Sequence, residues 1–263
     1  MTAATAPLRA ALPPFRAESV FIGRSIRHTL RNGEALVMAI ALPTILMLMF
    51  TYVFGGAIDP SGGYVDYVVP GTILTCAGFG ASYTAVAVTT DMTRGIIDRF
   101  RTMPIGGVAV LVGHIVASLV KNLVATAIVV GVAFAIGFRP DAGLLEWLGV
   151  VGMIALWILA ITTLFASIGL AAGSPDAASG YGFILLFLPY VSSAFVPIST
   201  LPGWLQPIAE HQPVTPVIET IRALLLGTPL EGPWLVAVAW CVGIIVAGIA
   251  WGAWLYRRKA GRR

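Results

Sequence analysis

Charged residues are scarce in this chain of 263 residues, and several long stretches have none. Asp, Glu, Lys and Arg make up 11% of the sequence, against about 25% in soluble domains, whereas 58% is hydrophobic. One helix needs about 20 apolar residues to cross a bilayer. The uncharged stretches that reach this length are 35–58, 67–90, 147–175, 177–209 and 232–256. This scarcity of charge excludes a soluble globular domain and predicts an integral membrane protein.

Residues that could form a catalytic, metal or nucleotide site are also few. Cys76 and Cys241 both fall in predicted spans and lack any metal-type spacing, so we expect them to pack as small apolar residues. The three histidines share no metal-ligand spacing either. Lys121 and Lys259 are followed by Asn and Ala, so the Gly-x-x-x-x-Gly-Lys-Ser/Thr phosphate-binding loop is missing. We therefore expect no catalytic residue, no metal and no cofactor in this chain.

The uncharged stretches, with a sixth that contains only Lys121, predict an all-α membrane fold of six transmembrane helices. The expected spans are about 35–54, 67–90, 117–138, 147–171, 178–197 and 234–256. Six crossings put both termini on one side, which then holds fourteen of the sixteen Lys and Arg residues. By the positive-inside rule both termini are cytoplasmic. The Ala, Gly, Val and Arg bias is typical of a GC-rich bacterium, so we expect a multi-pass protein of the bacterial plasma (inner) membrane.

Outside the spans, the sequence predicts four further parts. Residues 1–16 read as a disordered cytoplasmic leader and 257–263 as a basic cytoplasmic tail. Residues 17–34 predict an amphipathic interfacial helix whose basic face would contact lipid headgroups through Arg24, Arg27 and Arg31; a merely solvated charged helix is the alternative. Residues 35–256 form the membrane domain. Its proline-rich part before the last span predicts short re-entrant helices in the outer leaflet.

Two cations inside the apolar sequence invite a functional explanation. Lys121 lies about 17 residues before Phe138, or roughly 26 Å along a helix, so we expect it to reach the inner headgroups. Glu219 and Arg222 are three residues apart and should pair on one short helix.

An ATP-independent secondary transporter or channel usually needs ionisable residues near the midplane, and the expected placement of Lys121, Glu219 and Arg222 provides none there. An intramembrane enzyme is also disfavoured, because no nucleophile-and-base or paired-Asp arrangement is present.

The loop between the second and third predicted spans, residues 91–104, is more elaborate than a connector requires. Its apolar helical face holds Met92, Ile96, Phe100 and Met103, and its charged face holds Arg94, Asp98 and Arg101, before Pro104 ends the helix. Such a helix can dock in a groove of another protein through its apolar side chains. It could equally rest on the lipid surface, and the pattern alone does not separate these two possibilities.

This loop resembles the cytoplasmic loop of ABC type-2 exporter permeases, the daunorubicin-resistance-like membrane subunits. The matching positions are Asp91, Gly95, Asp98, Arg99, Phe100, Arg101 and Pro104. The likeness extends to the amphipathic N-terminal helix, the six spans and the proline-rich outer segment, so it covers essentially the whole chain.

The resemblance implies a coupling helix that sits on a separate ABC ATPase subunit, which binds ATP and Mg. The implied ATPase-coupling residues are Asp91, Arg94, Gly95, Asp98, Arg99, Phe100, Arg101, Met103 and Pro104. It also implies a second permease chain, in a homo- or heterodimer, and efflux of a hydrophobic drug, lipid or secondary metabolite, as in antibiotic resistance. A polysaccharide or glycolipid permease is the alternative. The basic charge is explained by lipid headgroups, so nucleic acid is not an expected partner.

Overall fold

The computed structural model describes residues 33–94, 107–230 and 232–260, and every regular element in those ranges is helical. The α-helices in chain order are α1 (Gly33–Met49), α2 (Gly55–Ile58), α3 (Tyr64–Thr93), α4 (Gly107–Ala135), α5 (Leu144–Ala171), α6 (Pro175–Leu185), α7 (Gln206–His211), α8 (Val214–Leu226) and α9 (Pro233–Ala260). A π-helical turn, Phe50–Phe54, joins α1 to α2, and short 3-10 helices occupy Leu188–Val191 and Ile198–Thr200.

Within the described residues, five helical stretches are long and apolar enough to cross a membrane. They are Val37–Ile58, Tyr64–Thr93, Leu111–Ala135, Leu144–Ala171 and Pro233–Arg258. These correspond to the first, second, third, fourth and sixth predicted spans, so the all-α membrane fold is confirmed. Helix α4, which corresponds to the third predicted span, lies earlier in the chain than predicted. It begins at Gly107 and ends at Ala135, whereas the expected span is 117–138.

The end of α4 has a clear structural cause at Gly137. This residue has φ +110°, which an L side chain rarely adopts. The Phe138 N–H donates to the Ala133 carbonyl at 3.0 Å, and the Gly137 N–H donates to the Phe134 carbonyl at 3.3 Å. These are the two bonds of a Schellman motif, which satisfies carbonyls in the last helical turn. The helix therefore stops before Phe138, where the sequence prediction had placed its end.

The fifth predicted span, 178–197, is not one continuous helix. Ser174 caps α6 by accepting a bond from the Ala177 N–H at 3.2 Å, and Pro175 is the first helical residue, as the sequence predicts. The helix ends at Leu185, four residues before Pro189. A proline ring clashes with the carbonyl four residues earlier and supplies no N–H, so Pro189 accounts for this end. A sixth membrane-spanning helix is therefore not confirmed by helix length.

Residues 178–197, called the broken segment below, nevertheless follow α3 closely along much of its length. Its close contacts with α3, in order, are Gly182 with Ser82, Leu186 with Gly78, Ala194 with Gly71, and Phe195 with Tyr64. The last is a hydrogen bond of 2.6 Å from the Tyr64 hydroxyl to the Phe195 carbonyl. The contacts run antiparallel from Ser82 to Tyr64, a distance of about 27 Å at 1.5 Å per residue.

Helix α3 is the centre of the bundle, and small residues allow its neighbours to approach. A Cβ on Gly169 of α5 would lie 2.5 Å from the Ala85 carbonyl of α3, so the two backbones touch there. Helices α1, α4, α5 and α6 all pack on α3, and α9 packs on the far side of α5. Most of α3 is buried, whereas α1 and α9 expose many large apolar side chains, as expected for helices that face lipid.

The proline-rich part of the chain forms the short helices α7 and α8, and their position in the outer leaflet stays a prediction. Helix α8 packs on α3, α5 and α9, and its buried face includes Val217, Ile218, Ile221 and Leu225. It ends at Gly227, whose φ is +64°.

Candidate functional site

The predicted coupling loop begins at the end of α3 and finishes at the start of α4. Asp91 lies in the last turn of α3, and Arg94 follows the helix as its exposed C-cap, with its N–H bonded to the Thr90 carbonyl at 3.0 Å. The other loop candidates, Gly95, Asp98, Arg99, Phe100, Arg101, Met103 and Pro104, lie outside the described residues. So do the predicted membrane-surface residues Arg24, Arg27 and Arg31. Their roles stay predictions.

Asp91 joins the two helices that flank the loop. One of its carboxylate oxygens lies 3.0 Å from Nε2 of His114 on α4. The side chains of His114 and Asp91 are 17% and 23% exposed, so this contact is partly shielded from solvent. The sequence places Asp91 in the predicted loop and indicates no partner for His114. A separation of 23 residues follows no helical spacing, so no local pattern could have revealed the pair.

An apolar cluster lies next to this pair and includes one residue of the predicted docking face. Its buried members are Val88, Ala166 and Leu170, packed against Met92, Leu111, Ile115 and Leu255. These residues come from α3, α4, α5 and α9, so the helix ends around the loop are held together by one apolar contact region. Met92 is the first apolar residue of the loop pattern, and here it packs inside the protein.

Hydrogen bonds between helices hold the same end of the bundle together. Thr89 Oγ1 donates to the Gly169 carbonyl at 2.8 Å, which links α3 to α5. Ser167 Oγ donates to the Gly248 carbonyl at 2.7 Å, which links α5 to α9. Small and hydroxyl side chains are the usual means of close helix association in membranes. A displacement of the loop would therefore act on α3, α5 and α9 as a connected group.

Lys121 lies deeper in its helix than the sequence analysis predicts. It lies 14 residues from each end of α4 (Gly107–Ala135), which is about 21 Å at 1.5 Å per residue. The ammonium lies 3.4 Å from the Gly80 carbonyl and 5.3 Å from the centre of the Tyr83 ring. The contact with Gly80 directs the ammonium toward α3, and the expectation that Lys121 reaches the inner headgroups stays a prediction.

Other polar side chains accompany Lys121 between α3 and α4. Asn122 is fully buried, and its Nδ2 donates to Ser118 Oγ at 3.2 Å, while Thr84 Oγ1 donates to Ser118 Oγ at 2.8 Å. Gly80 makes room for Asn122, since a Cβ there would lie 1.4 Å from Asn122 Oδ1. The described residues place no carboxylate within ion-pair distance of Lys121. Lys121 is therefore an ionisable residue midway along its helix, and no charge-paired relay is seen around it among the described residues.

Arg222 fastens the opposite end of the bundle. It pairs with Glu219 at 2.7 Å, as the sequence predicts, and it also donates to two backbone carbonyls. These belong to Tyr67 on α3, at 3.0 Å, and to Ser193 in the broken segment, at 2.7 Å. The guanidinium carbon lies 3.9 Å from the centre of the Tyr67 ring. Arg222 thus links three elements and acts as a structural residue.

The fold and these contacts define a helical membrane protein whose described helices pack closely, with Asp91 and His114 in contact near the helix ends on either side of residues 95–106. The described residues contain no group of three or more His, Cys, Asp or Glu that could hold a metal ion.

Comparison with known proteins identifies the family. Residues 18–226 match the ABC-2 type transporter family. The daunorubicin resistance ABC transporter permease protein DrrB1 of Streptomyces coeruleorubidus is 33% identical over 228 residues, which cover 85% of this chain and 80% of that protein. The probable doxorubicin resistance permease protein DrrC of Mycobacterium tuberculosis is 26% identical over 241 residues, covering 90% of this chain and 87% of that protein. The chain belongs to the ABC-2 type transporter family, and the resemblance predicted from the loop is confirmed.

Proposed function

We propose that this chain is the membrane half of an exporter that is driven by a separate ATP-hydrolysing subunit. Membership of the ABC-2 type transporter family supports the permease role directly. The observation that carries the coupling proposal is the anchoring of the loop, whose two ends are joined by the contact between Asp91 and His114. A force applied to the loop by a partner would reach α3 and α4 through that contact and through the apolar cluster beside it.

The proposed exporter has six crossings and cytoplasmic termini. The broken segment after Ser174 counts as the fifth crossing because its contacts with α3 extend for about 27 Å, close to the thickness of a hydrocarbon core. With Lys121 placed in the membrane, thirteen of the sixteen Lys and Arg residues lie on the side of the termini. That excess supports a cytoplasmic position for both ends. The bacterial relatives support a plasma (inner) membrane location.

The ATP and Mg required for export belong to the partner subunit in this proposal. The chain lacks a phosphate-binding loop around either lysine, so the energy must enter from outside it. Closure of two ATPase subunits would move the coupling helices of two permease chains. The partner's different affinity for two permease conformations would set the driving force. The residues proposed to contact the ATPase subunit remain those of the loop, with Phe100 as the apolar anchor and Arg101 as the charged one.

The proposed cargo is a hydrophobic drug, lipid or secondary metabolite. The spans contain few charges, which favours an apolar cargo over a sugar or an ion. The relatives named for daunorubicin and doxorubicin resistance support a drug-like molecule. A polysaccharide or glycolipid cargo is the second candidate. An ATP-independent transporter gains one argument from Lys121 midway along α4, but that residue has no carboxylate partner among the described residues.

The test is reconstitution of the chain with its candidate ATPase, followed by substitutions in the loop. We expect Phe100→Ala or Arg101→Glu to separate ATP hydrolysis from transport while the chain still inserts into the membrane. Matched controls are Phe183→Ala, on an exposed face of α6, and Arg258→Glu, in the basic tail. Unchanged coupling in both loop variants would contradict the assignment of the helix. Full transport by the chain without any ATPase would contradict the function itself.

A further inference from the structure

A cavity of about 460 Å³ lies among α3, α4, α5 and α9, at the end of the bundle that carries the loop. Its wall is almost wholly apolar and includes Val88, Ile115, Val116, Leu159 and Ala253. Ligand sites for small molecules have volumes of about 300–1,000 Å³ and similar apolar walls. The cavity is thus large enough for a drug-sized or single-chain molecule.

The cavity opens toward lipid. Val112 of α4 and Ile249 of α9 line it and are 36% and 57% exposed. Both side chains are apolar, so an opening between them would admit a molecule from the hydrocarbon layer more readily than from water. On α9, Gly252 and Ala253 leave room where larger side chains would fill the space. The opening lies in the half of the bundle that faces the cytoplasm in the proposed topology, so it would communicate with the inner leaflet.

Among the described residues that line the cavity, Arg257 is the one that carries a permanent charge, and His114 and Tyr256 also line it. Asp91 is not part of this lining and is held against His114. Arg257 is exposed and lies at the rim, at the start of the basic tail. The next residue, Arg258, instead sits over the Trp254 ring, 5.2 Å from its centre. Arg257 is therefore the cation best placed to meet the head of a bound molecule.

We propose that this cavity receives the cargo from the inner leaflet, and that the cargo is an amphiphile with an apolar body and an acidic head, such as a carboxylate or phosphate. The apolar wall would hold the body, and Arg257 would bind the head by charge-assisted hydrogen bonds. This proposal rests on the proposed export function and narrows its substrate class. It places cargo entry between α4 and α9, beside the contact of Asp91 with His114 that anchors the coupling loop.

The binding test needs no ATPase. The full chain in nanodiscs of zwitterionic lipid would be exposed to a 12-carbon fatty acid that carries a diazirine, or to the matching alkylamine, and labelled peptides would be mapped after illumination. We expect the carboxylate to label residues of the cavity wall at least fivefold more than the amine. Ala253→Phe fills the cavity and should remove this labelling. Ala250→Phe, on an exposed position of the same helix, should leave it unchanged.

The role of the Arg257 charge at the rim of the cavity is tested by replacing Arg257 and its neighbour Arg258 one at a time. Arg257→Gln should reduce the preference for carboxylate over amine to less than twofold, whereas Arg258→Gln should preserve it. Equal labelling by both probes in the parent chain, or labelling that survives Ala253→Phe, would overturn the proposal.

A second measurement distinguishes cargo from a resident lipid. In the complex with the ATPase, the fatty acid should stimulate ATP hydrolysis, and Ala253→Phe should abolish the stimulation while Ala250→Phe retains it. Labelling of the cavity without any stimulation would identify a resident lipid and refute cargo entry. If the complex shows no ATP-driven transport of any kind, the proposed function fails instead, and the labelling result still decides whether the cavity binds an acidic amphiphile.

Discussion

Loss of the Arg222 side chain is predicted to loosen the end of the bundle remote from the loop. Arg222 is 8% exposed and donates to the carbonyls of Tyr67 and Ser193. Replacing it with Met keeps much of the apolar contact but removes both bonds. Hydrogen bonds that involve a charged group contribute about 1.5–3 kcal/mol each, and the cost of desolvating the guanidinium offsets part of this. We therefore expect Arg222→Met to lower the free energy of unfolding by about 3 kcal/mol.

Two further variants separate the carbonyl bonds from the ion pair. The Glu219 side chain is 39% exposed, and exposed pairs contribute about 1 kcal/mol or less, so Glu219→Gln should cost much less than Arg222→Met. Arg222→Lys should lie between them, because one ammonium cannot reproduce the fork of a guanidinium.

The assay is thermal unfolding of the purified chain in detergent, with Tm as the readout. At about 2–4 °C per kcal/mol for a chain of this size, Arg222→Met should lower Tm by roughly 6–12 °C. Glu219→Gln should lower it by about 4 °C at most. A Tm for Arg222→Met within 1 °C of the parent would refute the assignment of Arg222 as a structural link. Equal losses in Arg222→Met and Glu219→Gln would show that the ion pair, and not the carbonyl bonds, provides the stability.

Two pairs of substitutions test contacts between the helices. Gly169→Ala should cost about 1–3 kcal/mol, because its Cβ would meet the Ala85 carbonyl at 2.5 Å, whereas Gly152→Ala on the same helix has nothing within 4 Å and should be neutral or stabilising in the same thermal assay. Similar Tm values for the two variants would contradict backbone contact between α3 and α5. Asp91→Ala and His114→Ala should each destabilise the chain, with a coupling energy on the order of 1 kcal/mol in a double-mutant cycle. Strict additivity would mean that the contact between them contributes nothing.

Several features of the fold could be predicted from sequence because their causes are local. Ser174 and Pro175 form a helix start that depends on two adjacent residues, and the structure contains it. The pairing of Glu219 with Arg222 follows from a three-residue spacing on one helix. The apolar spans follow from length and composition alone. Pro189 within the span 178–197 is a local cause of the same kind, because a proline supplies no N–H, and the helix ends at Leu185.

The features that the sequence analysis missed depend on contacts between distant parts of the chain. Nothing near Asp91 or His114 indicates their pairing, and nothing near Arg222 indicates that Tyr67 and Ser193 supply its acceptors. These partners become neighbours only after α3, α4 and the broken segment have packed together. Asn122, a polar residue in an apolar run, indicates a buried polar contact, but the sequence around it does not specify Gly80 as the neighbour.

The position of Lys121 along its helix depends on where that helix begins and ends. The expected span 117–138 puts Lys121 near the start of the helix, whereas the start at Gly107 and the Schellman motif at Gly137 put it midway along α4. Each residue adds about 1.5 Å, so a boundary shift of ten residues corresponds to about 15 Å along the helix axis. The distance of Lys121 from the headgroups therefore stays a prediction, and the case against a secondary transporter cannot depend on it. The exporter assignment depends instead on family membership and on the contact between Asp91 and His114, both of which are independent of the depth of Lys121.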